Sequence, residues 1–200
     1  EHDGAHIANS QAILMGDILF NTVYQLFTRR VAAEPHQIDL LQHFSQMVQE
    51  VCVGQIIDVD AMHKDDVDID QITEKNLLKT AYYSIVRPLQ LGALLAKETA
   101  DFPILAEVGR QLGLLYQLQD DLLDLTPVSG NTGKPKFTDI VQGQPTLLTL
   151  RIARQDPTIY AQLQTYRGKK LTESDYVDLA KLLKETDAMS FAKHAITQYE

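Results

Sequence analysis

A helical apolar stripe in this chain runs into three aspartates and is then stopped by a proline. Val108, Leu112, Leu115, Leu118 and Leu122 recur at three- and four-residue intervals, the spacing of one face of an α-helix. The run closes as Gln117-Leu-Gln-Asp120-Asp121-Leu-Leu-Asp124-Leu125 and is followed by Thr126-Pro127. Pro127 disfavours helical backbone at Thr126, so the helix is predicted to stop close to Leu125. Asp120 and Asp124 share a face, Gln117 lies on the same stripe, and Asp121 flanks it. All three carboxylates fall in the last two turns, where the helix dipole is negative and penalises each by about 0.3–1 kcal/mol. A cation reverses that sign. Carboxylates so placed suit Mg²⁺, which takes few protein ligands, keeps several waters and binds together with substrate phosphates. The plainer alternative is a solvated acidic helix end.

The remaining segments carry the same period. From Ile7 to Arg30 the apolar set is Ile13, Leu14, Ile18, Val23, Leu26 and Phe27, interrupted by Gly16, which predicts close helix packing there. A second helix is predicted over about 38–59, with Gln55 and Asp58 on one face and Gly54 allowing another element to approach. Asp66, Asp68 and Asp70 have the spacing of a calcium loop. Gln71 and Leu77 stand where such a loop needs its glycine and bidentate glutamate, so a helix-capping connection is expected instead. A third helix, about 72–98, carries Lys79 and Thr80 and is expected to kink or break at Pro88. The aspartate helix covers about 103–125. A loop of 126–144, rich in glycine and basic at Lys134 and Lys136, follows it without a P-loop pattern. Shorter helices are expected at 147–154, 157–166, 172–185 and 188–199. With no alternating run anywhere, the predicted class is all-α.

Two hundred residues suffice for a single domain with a substantial core. The net charge of −9 and the lack of a basic tail argue against nucleic acid and anionic membranes as partners. Cys52 is the only cysteine, which excludes an internal disulfide and makes a reducing cytoplasm the expected compartment. No apolar run reaches the ~18 residues of a membrane span.

Five segments, in order, resemble the trans-type polyprenyl diphosphate synthases of the isoprenoid-synthase fold. Ala12-Ile-Leu-Met-Gly-Asp17 is similar to that family's A-I-L-x-G-D, and Gly54-Gln55-Ile-Ile-Asp58 to its G-Q-x-x-D. Lys79-Thr80-Ala81 with Leu91-Gly92-Ala93 is similar to its K-T-[AG] and L-G-A region. Tyr116-Gln117-Leu-Gln-Asp120-Asp121-Leu-Leu-Asp124 resembles the second aspartate-rich motif, F-Q-x-x-D-D-x-x-D, and Gly133-Lys134 with Asp139 the G-K-x-x-x-x-D after it. The resemblance implies a helical bundle around a central cavity and a Mg²⁺-dependent prenyltransferase that joins an allylic diphosphate to isopentenyl diphosphate, usually as a homodimer. It implies Asp120, Asp121 and Asp124 as metal ligands and Lys79 and Lys134 on the diphosphate. Thr80 and Gln117 would present oxygen dipoles to the allylic cation, and Gln55 and Asp58 would line the cavity.

Two departures stand out. The family's G-K-x-T segment reads Gly143-Gln144-Pro145-Thr146 here, so one diphosphate contact is missing or comes from another residue such as Lys136. No first aspartate-rich motif precedes Ala12, which implies that roughly the first third of the family fold lies outside this sequence and that these 200 residues alone are inactive. Two other readings share the fold. A catalytically silent partner subunit is disfavoured by the intact aspartates, and a terpene cyclase by Lys79-Thr80 and Gly133-Lys134.

Overall fold

A computed structural model describes residues 2–64, 66–98, 101–126 and 136–198, and every regular element among them is helical. The order is α1 (His2–Val31), α2 (Gln37–Ala61), α3 (Ile69–Asn76), a π-helical segment (Leu77–Val86), α4 (Arg87–Ala96), α5 (Phe102–Leu125), α6 (Thr138–Gln142), α7 (Leu147–Gln155), α8 (Pro157–Gln164), α9 (Glu173–Lys184) and α10 (Ala188–Thr197). The helix starts are written in short polar signals. Asp68 accepts from the Gln71 backbone N–H while the Gln71 side chain bonds back, a capping box that opens α3 as the acidic connection predicts. Thr146 with Thr149 opens α7 and Thr172 with Asp175 opens α9 in the same way. At the other end of the chain's main helix, α5 stops at Leu125, with Thr126 in extended backbone before Pro127.

The run from Ile69 to Ala96 is continuous, and the expected break at Pro88 is absent. Pro88 lies in the first turn of α4, directly after the π segment, and the helix runs through it. The irregularity falls earlier, at the π segment, where the Ser84 hydroxyl donates to the Thr80 carbonyl. This segment lies between α2 and α5 and packs on both. Glycine makes that possible: a β-carbon on Gly54 of α2 would overlap the backbone of Leu78 and Lys79, and one on Gly113 of α5 would overlap Ala81. Gly16 departs from expectation, since nothing lies within 4 Å of where its β-carbon would be.

Two apolar clusters flank this central packing. Leu118, Leu122 and Leu125 of α5 meet Phe137, Ile140 and the buried faces of α7 to α10. Val31, Leu40 and Leu94 form a smaller one, with Phe27 of α1 stacked on Phe44 of α2 at 4.5 Å between ring centroids. Beyond that contact α1 exposes Ile13, Leu14, Ile18, Leu19, Val23 and Leu26 around most of its circumference. On α5, Ile104, Val108, Leu112 and Tyr116 form an exposed stripe at four-residue steps leading to Asp120. No helix among the described residues is long and apolar enough to cross a membrane.

Candidate active site

Close packing of the π segment on α2 and α5 opens a polar cleft of about 380 Å³ at one end of these helices. Gln55 and Asp58 come from α2, Lys75 and Asn76 from α3, Lys79 from the π segment, Gln117, Asp120 and Asp121 from α5, and Asp139 and Gln142 from α6. Gln144 and Thr146 close the rim.

One side of the cleft is organised by Asp58. Its Oδ1 pairs with the Lys75 ammonium at 3.0 Å and accepts from the Gln144 amide, and its Oδ2 pairs with Lys79. Burial opposes the charge on Asp58, but the hydrogen bonds and charges of Lys79 and Lys75 outweigh it and hold the carboxyl below its ordinary value. Two ammoniums on one carboxylate leave this side net positive.

The opposite side is acidic. Thr80 donates to Gln117 Oε1 at 2.8 Å, and Gln117 Nε2 donates to Asp121 Oδ1 at 2.8 Å. Thr80 and Gln117 thus bond each other and fix the orientation of Asp121. Asp121 Oδ2 is buried and has no hydrogen-bond partner among the described residues. Burial first, then the charges of Asp120 and Asp124, push the Asp121 carboxyl up to about 6. Burial and the charges of Asp124 and Asp121 push Asp139 up to about 7.

Asp124 sits differently from the expectation that it faces the cleft with Asp120. Its Oδ1 accepts from the Thr138 backbone N–H at 3.0 Å and the Thr138 hydroxyl at 2.6 Å, and its Oδ2 accepts from the Asp139 N–H at 3.1 Å. The first N–H groups of α6 lack helical acceptors, and Asp124 supplies them from a distance. Phe137, buried and left-handed at φ 58°, turns the chain into this arrangement. The fourth carboxylate brought into the cleft is therefore Asp139, not Asp124. Lys136 is also spent elsewhere: its ammonium donates to the Leu123 carbonyl at 2.9 Å near the end of α5, a helix C-terminal cap, and it does not line the cleft. Lys134 lies outside the described residues.

The donor set suits a hard cation. It offers only oxygen ligands, one of them buried and unpartnered, and two carboxyls whose ionisation is opposed by burial and by neighbouring negative charge. Among the described residues no three of His, Cys, Asp or Glu converge tightly enough to hold a metal by themselves.

The sequence model described as "Polyprenyl synthetase" matches residues 4–185. This chain belongs to the polyprenyl synthetase family. Within the family it is similar to a geranylfarnesyl diphosphate synthase of Natronomonas pharaonis, with 31% identity over 144 residues, 72% of this chain and 42% of that one. A heptaprenyl diphosphate synthase component 2 of Bacillus subtilis is 29% identical over 184 residues, 90% of this chain and 50% of that one. Among solved structures, a geranylgeranyl pyrophosphate synthase from Corynebacterium glutamicum, complexed with isoprenyl diphosphate and magnesium, superposes with a TM-score of 0.82 at 27% identity, over 93% of this chain and 54% of that one. The chain spans about half the length of the curated family members it matches.

Lys75, Asn76 and Gln142 are cleft residues that sequence reasoning does not single out, and Asp139 entered it only as a motif residue. For Lys75 a signal existed, since it lies one helical turn before Lys79. For Asp139 the motif match placed it after the loop but gave no reason to turn it inward.

Proposed function

We propose that this polyprenyl synthetase-family chain belongs to a Mg²⁺-dependent prenyltransferase that joins an allylic prenyl diphosphate to isopentenyl diphosphate, giving a longer polyprenyl diphosphate. The observation that carries this reading is the meeting, in one cleft, of a cationic Asp58–Lys75–Lys79 group and an acidic Asp120–Asp121–Asp139 group at the foot of an apolar stripe. Asp120, Asp121 and Asp139 would hold the metal together with water and diphosphate oxygens, with Asp124 orienting Asp139. When bound, Mg²⁺ supplies positive charge that stabilises the departing diphosphate. Lys79, held by Asp58, has ammonium donors left for diphosphate oxygens and places fixed positive charge where leaving-group charge develops. Gln117 holds Asp121 in place, with Thr80 behind it. Gln55 lines the mouth of the cleft. The stripe Ile104–Val108–Leu112–Tyr116 gives the prenyl chain an apolar wall and keeps water from the allylic cation.

We place the reaction in the cytoplasm, where the exposed thiol of Cys52 stays reduced. We propose a homodimer; the component 2 relative makes a two-component assembly the alternative, and sedimentation of the purified protein decides between them.

The test is an elongation assay. The full-length protein incubated with farnesyl or geranyl diphosphate, isopentenyl diphosphate and Mg²⁺ gives elongated product. Asp120→Ala lowers the rate by about 10²–10³ or more, the scale on which lost electrostatic stabilisation acts. It leaves the melting temperature unchanged or higher, because Asp120 opposes the dipole of its own helix. The 200 residues alone give no measurable elongation, since they span about half the length of the curated family members and carry a single aspartate-rich motif. Robust turnover by them would refute that assignment, and an active Asp120→Ala protein would refute the site.

A further inference from the structure

The cleft contains two buried side chains with donors that no partner among the described residues fills. Lys75 is 5% exposed and Asn76 is 2% exposed, and both line the cleft rather than the apolar clusters. Lys75 uses two donors, one on Asp58 Oδ1 and one on the Pro145 carbonyl at 3.1 Å, which leaves its third N–H without a partner among the described residues. The Asn76 Nδ2 group is buried with no acceptor at all among them. A buried donor without a partner is costly unless something else occupies the space beside it. Two adjacent residues therefore aim spare N–H groups, one of them charged, into a cleft whose other side would hold a metal.

Position 144, which shares an oxygen with Lys75, is neutral. The segment reads Gly-Gln-Pro-Thr where the family pattern has a lysine after the glycine. Gln144 donates to Asp58 Oδ1, the same oxygen that Lys75 pairs with. A lysine at 144 beside Lys75 and Lys79 would crowd three ammoniums onto one carboxylate. With Gln144 neutral and Lys75 present, the number of cations stays at two while one of them moves from the loop to α3.

We infer that Lys75 and Asn76 form a diphosphate-binding pair in which Lys75 supplies the cation that Gln144 does not. The inference rests on the proposed function. The anion is the diphosphate of the allylic substrate, because the same cleft holds the carboxylates that would share a metal with it. Lys75 also ties α3 to the Pro145 carbonyl, so a purely structural role is the competing explanation, and the test must separate the two.

Inorganic pyrophosphate is the probe, titrated calorimetrically into the full-length protein with and without Mg²⁺, alongside thermal melts. Lys75→Met weakens binding by about ten- to a hundredfold, the loss of one charged hydrogen bond. Lys75→Met/Gln144→Lys keeps two ammoniums near Asp58 and recovers at least about tenfold of that loss. Asn76→Leu removes a donor with no protein partner, so it melts no lower than the unsubstituted protein yet binds pyrophosphate more weakly. A structural role predicts the reverse for Asn76→Leu. If Lys75→Met does not fold, the double variant and Asn76→Leu decide alone. Farnesyl diphosphate competes with pyrophosphate; competition by isopentenyl diphosphate only would overturn the assignment to the allylic substrate. Unchanged binding in Asn76→Leu, or no recovery in the double variant, overturns the inference while Lys79→Met still weakens binding and the proposed function stands. Failure of the unsubstituted protein to bind pyrophosphate overturns both.

Discussion

Asp121 is pulled two ways. Gln117 and Lys75 favour its charge, while burial and the neighbouring aspartates oppose it more strongly, and its folded value of about 6 lies above the ordinary 3.8. Asp139, at about 7, is displaced in the same direction. Between pH 4 and 7 the folded protein then holds protons that the unfolded chain has released, so stability falls as pH rises. The contribution is fully present below about pH 4 and is lost as pH climbs through the two folded values; Asp58, displaced the other way, loses its own contribution only in acid. The metal-free protein should therefore melt higher near pH 5 than near pH 8. Mg²⁺ should restore part of the difference at pH 8, and Asp121→Asn should flatten the profile and blunt the Mg²⁺ effect. A melting temperature that rises from pH 5 to 8 without metal would contradict the geometry of the cleft. The sequence made the aspartates visible, because three carboxylates before a helix-stopping proline are unusual. It did not separate their tasks. Asp124 caps α6 only because Phe137 turns the chain back, and no local pattern announces a left-handed phenylalanine.

The π segment shows what a helical period can and cannot reveal. Leu77–Val86 keeps the apolar spacing of a helix, and ten residues are too few to distinguish the i→i+5 hydrogen bonds of a π-helix from the i→i+4 bonds of an α-helix. Pro88 was the more obvious place for a break, yet the helix runs through it directly after the π segment. The irregularity is set by its neighbours. Gly54 and Gly113 bring α2 and α5 close enough to hold the segment from both sides, and Lys79 and Thr80 sit in its first turn. Gly54 was legible as a close-approach position; which element approached was not. Gly113→Ala should lower stability by about 1–3 kcal/mol, the range for overpacking a tight contact, since a β-carbon there meets Ala81. Because α5 must shift away from the π segment, Gln117 should lose its Thr80 contact and with it the orientation of Asp121, so weaker Mg²⁺ binding should accompany the loss. A Gly113→Ala protein with unchanged melting temperature and metal affinity would show that the contact is not tight. Gly16→Ala is the control, as nothing lies near its β-carbon, and mid-helix alanine should stabilise by about 0.5–1 kcal/mol.

At the scale of the molecule, the all-α class and the order of the helices followed from periodicity alone, because every long segment repeats at helical spacing. What periodicity could not assign was the partner of each face. A helix that exposes this many large apolar side chains belongs against a partner, and α1 is such a helix, polar through its middle turns mainly along Asp17, Asn21 and Gln25 and touching the rest of the described protein mainly through Phe27, Tyr24 and Val31 near its end. A surface of that kind obeys mass action. Whatever covers it stabilises the folded state in proportion to the logarithm of its concentration. For these 200 residues on their own, copies of the chain are the only cover in the tube. The melting temperature should then climb by about 2–6 °C for each tenfold rise in protein concentration, and substituting polar residues at Leu14 and Ile18 should remove the dependence. A midpoint that stays fixed across two decades of concentration would show that α1 is content in water. If the dependence holds, a single quoted melting temperature has no meaning for this chain, and any stability measured on it must carry the concentration at which it was taken.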